Sequence, residues 1–127
     1  MNVSEVPEPR DLWNPTVALR RMGADADLLS SMVDYFLEDS PSLLQELKLR
    51  IDAGDAIEAC RVAHSLKGLC SNFEAEAAIR AGALVEAACS SENLDDASAL
   101  TAPLTVQLRQ LSSALTAWKE SNSQGAV

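Results

Sequence analysis

The sequence predicts an all-α chain, folded as an antiparallel up-down four-helix bundle with a short additional N-terminal helix. Three observations point there. Ala, Leu and Glu recur at spacings of three and four, which is the period of a helix. Aromatic residues make up only 4% and no run of β-branched residues marks a strand. The apolar stripes fall into four longer segments joined by turns of a few residues, and such helices cover their stripes by packing as antiparallel neighbours.

The elements follow in order. Residues 1–12, polar with Pro7 and Pro9, read as a flexible head, and residues 13–120 as the bundle. Asn14 followed by Pro15 is an N-cap and first-turn proline, opening a short helix through Arg21 that Gly23 closes and that caps one end of the bundle. Asp25 caps a second helix, whose stripe of Leu28, Leu29, Met32, Phe36 and Leu37 continues as Leu43, Leu44, Leu47 and Ile51 to a stop at Gly54. Pro41 inside it either kinks the helix or, with Ser40 as cap, restarts it. Asp55 opens a third helix to about Phe73, and a fourth runs from about Ala75 to Ser90. After a polar turn from Ser91 to Leu94, the last helix carries an apolar face of Leu100, Leu104, Leu108, Leu111, Leu115 and Trp118. Residues 121–127 form a polar tail.

Composition narrows the function. A chain of 127 residues fits one domain with one core. The balance of 10 Lys and Arg against 19 Asp and Glu gives a net charge of −9, which repels a polyanionic backbone, so nucleic acid is not an expected partner. The longest uncharged stretch, Ala97 to Leu108, contains Pro103 and falls well short of the ~20 apolar residues of a spanning helix. With no basic-then-apolar leader pattern, a cytoplasmic, membrane-free protein is expected. Cys60, Cys70 and Cys89 lie in apolar helical patterns with no C-x-x-C pair and read as buried, reduced thiols. One histidine and no clustered ligands leave a structural zinc site without its donors, so no metal is expected on the chain.

The informative segment is Ala63-His64-Ser65-Leu66-Lys67-Gly68. On the third helix, Ala59, Val62, Leu66, Leu69 and Phe73 form the seam that faces the core. At the helical angular step, the only histidine, His64, falls about 180° from the centre of that seam. It therefore points outward, with Lys67 at i+3 and Gly68 at i+4. A glycine inside a helix costs about 1 kcal/mol relative to Ala, so something must favour the missing side chain. A lone exposed histidine beside a solvated lysine is common on any surface. The same trio can also serve phosphoryl transfer: a neutral imidazole is a competent acceptor near neutral pH, the lysine offsets phosphoryl charge, and the glycine lets another protein approach the ring.

The string H-S-L-K-G resembles the histidine-containing phosphotransfer domains of two-component phosphorelays. The similarity extends to Ala18-Leu19-Arg20-Arg21-Met22-Gly23, Asp27-Leu28-Leu29, Tyr35-Phe36-Leu37, Asp39-Ser40-Pro41 and the turn Ala53-Gly54-Asp55, covering roughly Trp13 to Lys119. It implies that His64 is phosphorylated, that Lys67 stabilises the phosphoryl group and that Gly68 provides clearance, with Arg61 and Ser71 beside them on the partner-docking face. Glu86, twenty-two residues after the histidine, stands where related domains place a Gln or Glu that holds the imidazole. A carboxylate accepting from Nδ1–H fixes the tautomer that leaves Nε2 free to attack. The small residues Ala75, Ala78 and Gly82 allow the two helices the approach that this contact needs, or are simple packing. One departure stands out: the family has Gly-Ala ten and eleven residues after the histidine, whereas this chain has Glu74-Ala75.

The resemblance implies a monomeric phosphoryl carrier, not an enzyme. It would take the group on His64 from an aspartyl phosphate of one response-regulator receiver domain and pass it to an aspartate of another, with a hybrid sensor histidine kinase upstream. No cofactor is expected on the chain, and Mg²⁺ belongs to the receiver. A histidine kinase is disfavoured because no Gly-rich nucleotide-binding segment is present. An inactive bundle acting as scaffold or inhibitor of a receiver or kinase is the alternative, although it has no need of His64, Lys67 and Gly68.

Overall fold

The computed structural model describes residues 12–125, and among them there are five helices and no strand. We number them α1 (Pro15–Arg21), α2 (Ala26–Asp52), α3 (Ala56–Ser71), α4 (Glu76–Ser90) and α5 (Leu94–Gly125). The head expected over residues 1–12 lies outside the described residues, Leu12 apart. Residues 121–125 of the polar tail continue α5 instead of leaving it.

Side chains set most of the helix starts. Asn14 Oδ1 accepts from the Val17 amide at 3.1 Å, Asp25 Oδ1 from Leu28 at 3.0 Å, and Asp55 Oδ1 from Glu58 at 3.2 Å. Asn93 does the same for Asp96 at 3.2 Å and donates its own amide to the Asp96 carboxylate at 2.9 Å. The start of α4 is the exception, because its N-cap position is Ala75, fully buried, where a polar cap would be desolvated. The helix that contains Pro41 neither stops nor restarts there: Ala26–Asp52 is a single element. Helix α3 ends at Ser71, short of Phe73, which sits in the turn. There it makes edge-on contacts with Trp13 and Phe36 at centroid distances of 6.1 and 5.6 Å.

Helix α3 packs on α4, α4 on α5 and α2 on α3, and α5 closes the ring against α2. The core is formed by the inward stripes, with Phe36, Leu47, Leu66, Val85, Leu104, Leu111 and Leu115 fully buried. Each such side chain contributes on the order of 1.5–3 kcal/mol by leaving water. At one end the short α1 is fixed by Trp13, which meets Trp118 edge-on at 5.8 Å, and by the Asn14 amide donating to the Phe73 carbonyl at 3.1 Å. The cysteines depart from expectation in one case. Cys70 and Cys89 are buried, but Cys60 is only half-buried, packing against the edge of the core where an open cleft begins. Burial pushes the Cys70 thiol up to about 12, leaving it inert as a nucleophile.

Candidate functional site

The site is built on the α3–α4 pair. Gly82 on α4 is buried against α3, and a Cβ at that position would lie 3.5 Å from Lys67 Cβ and 3.6 Å from its Cα. Ala78, one turn earlier on the same stripe, is also buried. This small-residue strip lets the two backbones approach closely, so that Glu86, one turn beyond Gly82, reaches across to α3. Lys67 meets Gly82, His64 meets Glu86, and the Cys60 thiol contacts the Glu86 carbonyl at 3.8 Å. As positions descend on α3 they rise on α4, so these two helices run antiparallel.

Glu86 is the hub. Its Oε2 lies 2.8 Å from His64 Nδ1 and its Oε1 lies 2.6 Å from Lys67 Nζ. An ionised carboxylate only accepts, so Nδ1 carries the proton in this contact, and in the neutral ring Nε2 is the nitrogen with the free lone pair. The ring is 68% exposed while the Glu86 side chain is 23% exposed, so the histidine is held from behind and open in front. The ammonium of Lys67 holds the Glu86 carboxyl below the usual range, and the His64 contact acts in the same direction, while partial burial opposes both.

Beside the triad a cleft of about 680 Å³ runs between α3 and α4 toward the start of α3, bordered by Ile57, Cys60, Arg61, His64, Glu86 and Cys89. Ile57 stands at its edge, 80% exposed. Arg61, one turn before His64, is exposed and pairs loosely with Glu58 at 3.5 Å. Gly68 faces open space, with nothing within 4 Å of where its Cβ would be. Ser71 stands apart from this group. Its hydroxyl donates to the Lys67 carbonyl at 3.0 Å and its own carbonyl accepts from Arg21 at 3.3 Å, so it is half-buried and tied into the end of α3. Among the described residues no group of three or more His, Cys, Asp or Glu is placed to hold a metal ion.

Two features of the site were not anticipated from sequence. Lys67 is folded back onto Glu86, with its side chain only 30% exposed, where an outward-pointing charge was expected. The apolar cleft with Ile57 at its edge was missed because Ile57 and Cys60 fall outside the core seam and carry no motif.

The site thus presents an exposed imidazole, fixed through Nδ1 on a helical bundle, with a cation alongside. The chain belongs to the Hpt domain family, whose model matches residues 31–119. Domains of this family transfer phosphoryl groups through histidine in two-component phosphorelays, as carriers and not as kinases, and interact with response regulators and kinases. No curated protein and no solved structure matches the chain. No helix among the described residues is long and apolar enough to cross a membrane.

Proposed function

We propose that this Hpt domain is the intermediate of a multistep phosphorelay, taking a phosphoryl group on His64 from the aspartyl phosphate of one receiver and delivering it to an aspartate of another. The observation that carries this reading is the Nδ1 contact to Glu86 at 2.8 Å behind an otherwise exposed ring. In the forward step the Nε2 lone pair forms the N–P bond as the bond from phosphorus to the aspartyl oxygen breaks, and the freed carboxylate leaves with those electrons. The Nδ1 proton stays on the ring, held by Glu86, which stabilises the positive charge that builds there. Lys67 supplies a cation one turn away, against the charge of the transferred group. Mg²⁺ is supplied by the receiver, since positioning and charge stabilisation are most of phosphoryl-transfer catalysis and the bundle needs only to present the nucleophile. Gly68, Arg61 and the cleft edge at Ile57 form the docking face. Ser71 contributes by bracing the end of α3. The up-down order of all four long helices belongs to the same reading, supported by the short turns between them and the packing of α5 on α2.

Incubation with a phosphorylated receiver tests the proposal. One acid-labile, alkali-stable phosphate is expected on the protein and none on His64→Gln. Phosphate that persists in that variant on Ser65 or elsewhere overturns the assignment.

A further inference from the structure

On the opposite side of the ring from the α3–α4 pair, helices α2 and α5 leave a groove of about 630 Å³ between them that phosphoryl transfer does not use. Its walls include Pro41, Leu44 and Lys48 from α2 and Thr105, Leu108 and Arg109 from α5. From residue 40 to residue 48 it follows α2 for about two turns, or ~12 Å, which suits the side of another helix better than a compact ligand.

Its charge is unusual for this chain. With 19 acidic residues against 10 basic ones, an acidic lining is the ordinary expectation. Yet two bordering residues are cationic and none is acidic. Lys48 and Arg109, like Arg20 and Arg80, form no ion pair among the described residues, whereas Arg21, Arg50, Arg61, Lys67 and Lys119 do. The nearby Glu46 is engaged by Arg50 at 3.7 Å, and the next carboxylate along α5 after Arg109 is Glu120, three turns on. Two exposed apolar residues lie farther out on the same two helices. Leu49, one turn beyond Gln45, is 61% exposed, and Val106, one turn before Arg109, is 48% exposed. An apolar seam flanked by unpaired cations is the complement of an amphipathic helix whose apolar stripe is bordered by carboxylates.

We propose that the α2–α5 groove docks an acidic amphipathic helix of a partner protein, its apolar residues covering Pro41 and Leu44 and its carboxylates reaching Lys48 and Arg109. A second copy of this chain is disfavoured as occupant by the repulsion between two bodies of charge −9. Because α3 and α4 stay uncovered, such a partner can remain bound while a receiver engages His64. The groove would then tether the domain without blocking the relay.

The test is a selection from a displayed library of 16-residue helical peptides, randomised in charge and apolar pattern, against the full chain. Enriched peptides are expected to be net negative, with apolar residues at i, i+3, i+4 and i+7. They should shift the amide resonances of Leu44, Lys48, Thr105 and Arg109 while leaving those of His64 and Ile57 in place. Binding should fall at least tenfold in the Lys48→Glu/Arg109→Glu variant, whose circular dichroism and phosphoryl acceptance at His64 are unchanged. The proposal is overturned if no peptide enriches, if enriched peptides are neutral or basic, or if binding survives the charge reversal. Resonance shifts that centre on α3 and α4 overturn it as well. A dimer seen by sedimentation and broken by the same variant would put a second copy in the groove and equally overturn it.

Discussion

Replacing Gly68 by Leu should make the protein more stable and a poorer relay. The stability side follows from the local geometry. Gly68 lies in the interior of α3, is exposed, and has nothing within 4 Å of the point a Cβ would occupy, so neither helix packing nor a positive φ requires glycine. Leu is a better helix former by about 0.8 kcal/mol, and with no steric charge against it most of that gain should appear on folding. For a domain of this size it corresponds to a rise in Tm of about 3 °C, readable by circular dichroism. The functional side follows from position, since residue 68 is one turn from His64 on the same face and the new side chain occupies space that a receiver must enter. Displacing reacting atoms by about 1 Å costs on the order of 100-fold, so transfer from a phosphorylated receiver should fall by about that factor. Phosphoramidate, a small donor that needs no docking, should phosphorylate His64 at close to the wild-type rate. Gly68→Ala should show the same stabilisation with a smaller loss of transfer. A lower Tm in the Leu variant would refute the claim that the glycine is free of packing, and an unchanged receiver rate would place the docking surface elsewhere.

Three further outcomes are expected. Glu86, whose pKa is depressed in the fold, contributes stability that is complete above its unfolded value near 4.5 and is lost as pH falls through the folded value. The gap in urea midpoint between wild type and Glu86→Gln should therefore be widest at pH 6–7 and close toward pH 3; a gap independent of pH would remove the carboxylate from the account. Ile57→Asp should leave Tm within a degree or two, because the side chain is 80% exposed and an acid is favourable in the first turn of α3, while receiver affinity falls about tenfold. Unchanged affinity by calorimetric titration would detach the cleft from docking. Glu74→Gly should stabilise by roughly 0.5–1 kcal/mol, since φ is +52° at this position and the exposed pair with Arg21 at 3.0 Å returns only a few tenths. A drop in the denaturation midpoint would show that the ion pair outweighs the strain.

What the sequence made legible, and what it did not, has physical causes in particular residues. Helical period and side-chain caps are local, so Asn14, Asp25 and Asp55 mark their helices correctly, and the outward position of His64 follows from the seam of Ala59, Val62 and Leu66. Glu86 was reachable by resemblance because a contact across two antiparallel helices fixes a sequence separation. The continuity of α2 through Pro41 was open, because one lost backbone hydrogen bond can be outweighed by the burial of Phe36 and Leu47 on either side, and that balance is tertiary. The turn at Glu74 departs from the family pattern in lacking its glycine. In the fold the residue takes the left-handed conformation regardless, with its carboxylate on Arg21 and the neighbouring Phe73 and Ala75 fully buried.

Lys67 shows most clearly how far a motif can reach. Spacing from His64 puts it on the right face, but its partner depends on how close α4 comes, and that is set by Gly82 fifteen residues away. With the backbones this near, the lysine stem lies against Gly82 and its ammonium meets Glu86 before it meets solvent. One carboxylate then holds both the imidazole and the ammonium, each through its own oxygen. The shared carboxylate keeps the Lys67 charge on the side of the ring from which Nδ1 is held, without occupying the face that Nε2 presents. On the proposed function, a phosphoryl group arriving on Nε2 would bring negative charge that competes with Glu86 for the same ammonium. In that reading Lys67 would turn from one anion to the other by rotation of its own side chain, while Glu86 would keep the Nδ1 proton in place.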